Sequence, residues 1–140
     1  MKSFACRTTM RATPERIWAI LTDAARYPAW NPTVTRIDGR IAPGERIAVH
    51  ATLNPGRAFP VTVVEFEPPS RMVWRGGMPL GLFTGERVFT LALSPGGTVD
   101  FAMRETFSGL LAPLIGRTLP DMQPAFDEFA AALKKEAERQ

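Results

Sequence analysis

The chain reads as an α+β protein in which one antiparallel sheet buries one face against helices from both ends of the sequence. Three observations carry that reading. The chain opens with an alternating segment followed at once by a capped amphipathic stretch. Six further segments of strand character are then separated by short Gly- and Pro-rich links, and the tail switches to a helical period. No linker, internal repeat or low-complexity tract divides the 140 residues, so a single domain spanning residues 1–140 is expected.

Residues Phe4 to Arg11 alternate, with Phe4, Cys6, Thr8 and Met10 on one side and Arg7, Thr9 and Arg11 on the other, as a half-buried strand requires. In "TPERIWAILTDAA", Thr13 is placed to cap a helix, Pro14 takes its first position and Glu15 its first turn. Ile17, Ile20, Leu21 and Ala24 then recur at helical spacing, which predicts a helix over Pro14–Ala25. The prolines of "RYPAWNPTV" flank Trp30 and allow at most one further turn before the chain extends. Strands follow at roughly Thr33–Arg40, Arg46–Leu53, Phe59–Glu67, Arg71–Arg75, Gly85–Leu93 and Thr98–Phe107, broken by "APGE", "NPGR", "PPS", "GGMPLG" and "SPGG". Links this short join antiparallel neighbours, because a parallel pair needs a crossover of a dozen or more residues. In the tail Met122, Phe126, Phe129 and Leu133 share one face of a helix running to about Glu138. Thr118 and Asp121 offer a weak capping box at its start.

Composition narrows the function classes. Hydrophobic residues make up 45 % and charged residues 22 %, the balance of a globular protein. No apolar run is long enough to span a bilayer and the N-terminus lacks the apolar core of a signal peptide, so a cytoplasmic protein is expected. The single cysteine, Cys6, excludes an internal disulfide and any Cys-based metal cluster, and is expected to be a small buried hydrophobe. The net charge of +3 is spread along the chain without a basic stripe or interleaved aromatics, which argues against a nucleic-acid partner. One histidine, His50, cannot make a multi-histidine metal site, and it falls on the polar side of "RIAVHATL", where a surface position is expected. "FSGLL" lacks the glycine of a nucleophile elbow, and "GGMPLGLFTG" lacks the lysine and following helix of a phosphate cradle. No metal and no cofactor is expected.

The most informative stretch is "FTLALSPGGTVDFAMRE" with the residues just before it. Arg87, Phe89, Leu91 and Leu93 share one face of a strand, and Val99, Phe101, Met103 and Glu105 share one face of the next. A three-residue loop of Pro95, Gly96 and Gly97 sets Leu93 opposite Val99, Leu91 opposite Phe101, Phe89 opposite Met103 and Arg87 opposite Glu105. The two charges of the apolar face would then meet, at the Cβ separation of about 4.5–5.5 Å that a direct cross-strand pair allows. Such a pair either simply makes a carboxylate tolerable on the inner face or anchors the polar end of a ligand.

Taken together, "TPERIWAILTDAARYPAWNPTV", "MVWRGG", "GERVFTLALSPGGTVDFAMRETFSGLL" and "AALKKEAE" resemble the polyketide cyclase/dehydrase branch of the START-like, or SRPBCC, superfamily, over Thr9 to Glu138. The resemblance implies a helix-grip fold, a seven-stranded antiparallel sheet wrapped around a long C-terminal helix with an internal hydrophobic cavity. Arg87 stands where many relatives carry histidine in a "GEHxF"-like stretch, so no acid/base role is carried over to it, arginine being always protonated. The superfamily includes aromatic-ring cyclases, lipid and sterol carriers, hormone receptors, quinone-binding proteins and chaperone-ATPase activators, so the site must decide the function.

Candidate ligand contacts are Met72, Trp74, Phe83, Arg87, Phe89, Phe101, Met103, Glu105 and Phe107 from the sheet, Met122, Phe126 and Phe129 from the last helix, and Trp30 at an entrance. The first reading is a binder of a hydrophobic or aromatic small molecule, lipid-, polyketide- or sterol-like, oriented by Arg87 and Glu105. The second is a cyclase/dehydratase in which Glu105 moves a proton beside a ketone and Arg87 stabilises the enolate. A guanidinium beside Glu105 favours the charged carboxylate and so weighs against the second. The third is a protein-interaction module using the apolar rim of Met78, Leu80, Leu82 and Phe83.

Overall fold

In the computed structural model, residues 2–139 are described. The elements are β1 (Lys2–Met10), α1 (Pro14–Thr22), a 3-10 turn (Ala24–Arg26), α2 (Tyr27–Trp30), β2 (Val34–Asp38), β3 (Arg46–Ala51) and β4 (Ala58–Glu67). They continue as β5 (Arg71–Met78), β6 (Phe83–Leu93), β7 (Val99–Ser108), α3 (Ala112–Gly116) and α4 (Gln123–Glu138). The strands form one seven-stranded antiparallel sheet in the order β1-β7-β6-β5-β4-β3-β2, so the first strand lies beside the last. Register shifts between Val63 and Glu65 in β4 and between Val34 and Arg36 in β2 are the bulges that bend such a sheet. This is the α+β helix-grip arrangement.

Several boundaries move for local reasons. The first helix stops at Thr22 rather than Ala25, because Asp23 takes φ −93° and ψ 86°, outside helical space; the chain restarts as the 3-10 turn and then α2, with Pro28 in its first turn. Strand β5 runs past Arg75 through Gly76 and Gly77 to Met78, where the sequence reads as a turn. A Cβ on Gly76 would meet the Pro60 carbonyl, and one on Gly77, at φ 136°, the Phe83 carbonyl, so these glycines let neighbouring strands close in. The short helix α3 has no counterpart among the elements that the sequence pattern predicts. Thr118 does not cap α4: its hydroxyl donates to the Ile115 carbonyl, while Asp121 accepts from the Gln123 N–H and Pro124 fills the first turn.

Helix α4 lies along β1, and hydrogen bonds tie it there at both ends. Gln123 donates to the Ala5 carbonyl at 2.7 Å and Lys134 to the Thr9 carbonyl at 2.8 Å. Arg16 of α1 donates to the carbonyls of Ala137 and Arg139, both at 2.8 Å, a cation satisfying the exposed end of the α4 dipole. The apolar face of α4 presents Phe126, Phe129, Ala130, Leu133 and Ala137 to the sheet.

Three carboxylates, Asp38 exposed and Asp100 and Glu138 partly covered, hold native interactions that favour the charged form. Asp38 lies well below its usual range because Arg36, then His50, donate to it; Asp100 does so through the Ser94 and Thr9 hydroxyls; Glu138 through the Arg11 N–H and Lys134. For groups with depressed native values the stabilisation is complete above their ordinary range and is lost as pH falls through the native values. The melting temperature is therefore expected to hold from neutral pH to about 5 and to fall below about 4. A melting temperature unchanged down to about 3 would contradict these contacts.

Candidate functional site

The register of β6 on β7 sets Leu93 opposite Val99, Leu91 opposite Phe101, Phe89 opposite Met103 and Arg87 opposite Glu105, as the alternation and the three-residue loop predict. Pairings across the sheet then stack the inner face in rows. Phe4, Glu105, Arg87 and Trp74 form one row across β1, β7, β6 and β5. On one side lies the row Cys6, Met103, Phe89 and Met72, all buried. On the other lie Phe107, Gly85 and Gly76, so two facing glycines remove side chains beside the charged pair.

Arg87 Nε donates to Glu105 Oε1 at 2.7 Å, and the two side chains are only 17 % and 15 % exposed. Directly opposed positions permit this contact without bending either strand. The guanidinium also lies 5.0 Å from the centre of the Phe126 ring, so α4 supplies an aromatic face to the cation. Its field reaches two buried groups. Burial pushes the Cys6 thiol up to about 11 and Arg87 opposes that shift, leaving a thiol that is inert at neutral pH. Burial likewise pushes the Tyr27 hydroxyl far up against the opposing effect of Arg87, consistent with its O–H donating to the Leu21 carbonyl at 2.6 Å.

Three buried donors near this region have no acceptor among the described residues: Trp74 Nε1, Trp30 Nε1 and Asn31 Nδ2. Trp74 stands next to Arg87 and packs its ring 4.7 Å from Phe89. Trp30 lies 4.9 Å from the Tyr27 ring and 5.5 Å from Phe129. Asn31 accepts from the N–H and hydroxyl of Thr33 through Oδ1, an Asx turn that orients its amide. Neither Asn31 nor Tyr27 stands out as a site residue from sequence, although the "NPT" turn signature marks the first of them.

The expected ligand contacts divide into two groups. Met72, Phe89, Phe101, Met103, Phe126 and Phe129 fill the space between sheet and α4; Phe101 stacks on Phe129 at 6.2 Å and 6°. They pack on one another as core instead of walling an open chamber, a departure from the cavity expected along α4. Phe83 and Met122 are half-buried at the margin, and Phe83 stacks on the buried Phe107 at 5.6 Å. Trp30 borders an open groove of about 420 Å³ between α2 and α4, shared with Pro32, Ala131 and Lys135. His50 is partly covered and contacts Asp38 at 2.8 Å. Among the described residues no three His, Cys, Asp or Glu side chains converge as a metal site would require, and no helix is long and apolar enough to cross a membrane.

Comparison with solved structures confirms the architecture. A hypothetical protein from Helicobacter pylori superposes with a TM-score of 0.79 at 15 % identity, covering 97 % of this chain and 88 % of that one. A START superfamily protein from Mycobacterium smegmatis gives 0.65 at 17 % identity, covering 97 % of each. A truncated norcoclaurine synthase from Thalictrum flavum gives 0.71 at 11 % identity, covering 99 % and 94 %. No curated protein matches the sequence. At these identities the structures share a fold, and the sequence pattern decides the family. The pattern described as polyketide cyclase / dehydrase and lipid transport matches residues 1–138, and the chain belongs to that family.

Proposed function

We propose that the chain binds a hydrophobic or aromatic small molecule, lipid-, polyketide- or sterol-like, against the inner face of the sheet, with Arg87 and Glu105 fixing its polar end. The observation that carries this reading is the half-buried pair set in an apolar row beside Gly76 and Gly85. An ion pair in such surroundings adds little stability over apolar residues of similar size, so its presence suits a ligand anchor. The unpartnered N–H of Trp74 lies in the same row and suits an acceptor oxygen on the ligand. The half-buried Phe83 and Met122, with Phe107 stacked on Phe83, supply the apolar contact at the margin of the packed core.

A cyclase/dehydratase reading would make Glu105 the proton carrier. Glu105 Oε1 already accepts from the Arg87 guanidinium, so that oxygen is engaged by a fixed cation and is not free to take a proton from a ligand. The likeness to norcoclaurine synthase is one of fold and adds no catalytic residue. The pair therefore favours binding without turnover.

A thermal-shift screen of fatty acids, sterols and polycyclic phenols tests it. A ligand at about a hundred times its Kd stabilises by about 2.7 kcal/mol, which for a chain of this size raises Tm by roughly 5–10 °C. The shift should vanish in Arg87→Met/Glu105→Leu. A flat response across the panel, or an equal response in the double variant, would overturn the assignment.

A further inference from the structure

Three connections meet at one end of the sheet: residues 52–57 between β3 and β4, 79–82 between β5 and β6, and 109–117 after β7. Among the described residues, six of the eight exposed large hydrophobic side chains cluster there, namely Leu53, Phe59, Met78, Leu80, Leu110 and Leu114. Leu80 is 92 % exposed, Leu110 80 % and Leu114 64 %, so these side chains make little contact with the protein. Of the other two, Val64 lies within β4 and Leu93 at the opposite end of the sheet.

Two of the connections are locked together. Leu110 N–H donates to the Gly81 carbonyl at 3.2 Å and Leu111 N–H to the Leu82 carbonyl at 2.7 Å. Gly109, at φ 114°, permits this contact, since a Cβ there would lie 2.7 Å from both carbonyls. Lys2 reaches the Gly116 carbonyl at 3.3 Å and joins the first strand to the same surface.

The charges are equally one-sided. The three connections contain no acidic residue, and their charged groups are Arg57 and Arg117, with Lys2 adjoining. Among the described residues none of these three cations forms an ion pair, whereas acids on the neighbouring strands do: Glu86 with Arg75, Glu105 with Arg87 and Asp38 with Arg36. Asp121, the next acid along the chain, accepts from the Gln123 N–H.

We propose that this end of the sheet is a docking surface for an anionic lipid membrane, with Leu80, Leu110 and Leu114 inserting among acyl chains and Arg57, Arg117 and Lys2 meeting the headgroups. Apolar tips ringed by cations suit that interface, and the cations strengthen binding to anionic lipid in particular. A second copy of the chain suits it poorly. A two-fold contact through one patch would bring the same cations face to face with no acid between them. The proposal goes beyond ligand binding and rests on different residues.

Co-sedimentation of the intact protein with vesicles tests it, using phosphatidylcholine alone and phosphatidylcholine with roughly a third phosphatidylglycerol. The protein should sediment with the anionic vesicles at low salt and lose binding as salt is raised. Leu80→Asp/Leu110→Asp should weaken binding by about a hundredfold, and Arg57→Glu/Arg117→Glu by about tenfold or more at low salt. Because these side chains are exposed, circular dichroism melting should show both variants folded. Arg87→Met/Glu105→Leu should sediment like the parent, so a failed ligand site leaves this result intact. No sedimentation with anionic vesicles, equal binding by the leucine variant, or self-association that the leucine variant abolishes would overturn the proposal.

Discussion

Arg87→Met alone is expected to destabilise the protein by about 2–3 kcal/mol, and Arg87→Met/Glu105→Leu to restore most of that loss. The single change leaves a carboxylate on an apolar face with its cation gone, whereas the double change removes both charges. Removing one partner of a fully buried pair costs about 3–5 kcal/mol, and solvent access of 17 % and 15 % reduces that figure. The loss corresponds to a drop in Tm of roughly 5–10 °C. The Phe126 ring loses its cation in both variants, so the double variant should remain somewhat below the parent, by about 1 kcal/mol. Chemical denaturation of the parent, the two single variants and the double variant measures the coupling directly. A single variant as stable as the parent would mean that solvent, not Arg87, satisfies Glu105.

Phe129→Ala is expected to cost about 3–5 kcal/mol, more than the loss of Arg87. Phe129 is fully buried and sits among four rings: Phe101 at 6.2 Å, Phe89 at 6.3 Å, Tyr27 at 6.4 Å and Trp30 at 5.5 Å. It thus joins α4, the sheet and α2, and its removal leaves a cavity that three separate elements must collapse to fill. Loosening of Trp30 should accompany the loss. Tryptophan fluorescence should shift before global unfolding, and Leu133→Ala, deeper in the same helix face, should not produce that early shift. Coincident fluorescence and circular dichroism transitions in Phe129→Ala would contradict this linking role.

The hairpin of β6 and β7 was legible because its determinants are local. Period two sets the inner face, and the Pro95–Gly97 loop sets the register; neither depends on distant residues. The helix α1 N-terminus was legible for the same reason, with Thr13 accepting from the Arg16 N–H at 3.1 Å. Boundaries set by neighbouring strands were not. Gly76 and Gly77 read as a turn until the Pro60 and Phe83 carbonyls are placed against them. Alternation reports which side of the sheet a residue faces, and not how completely its neighbours fill the space there. That is why Phe101, Met103 and Phe129 read equally well as cavity wall and as core.

The α+β class, the capped first helix, the apolar face of the last helix and the meeting of Arg87 with Glu105 can all be read from the order of residues. Each follows from side-chain periodicity or turn chemistry within a few residues. The closing of β1 against β7, the capping of α4 by Arg16, the place of Phe126 under the guanidinium and the shared surface of leucines from separate connections emerge from the folded molecule alone. Those contacts join residues far apart in the chain. They are selected by burial and packing of the whole molecule, which no local pattern encodes.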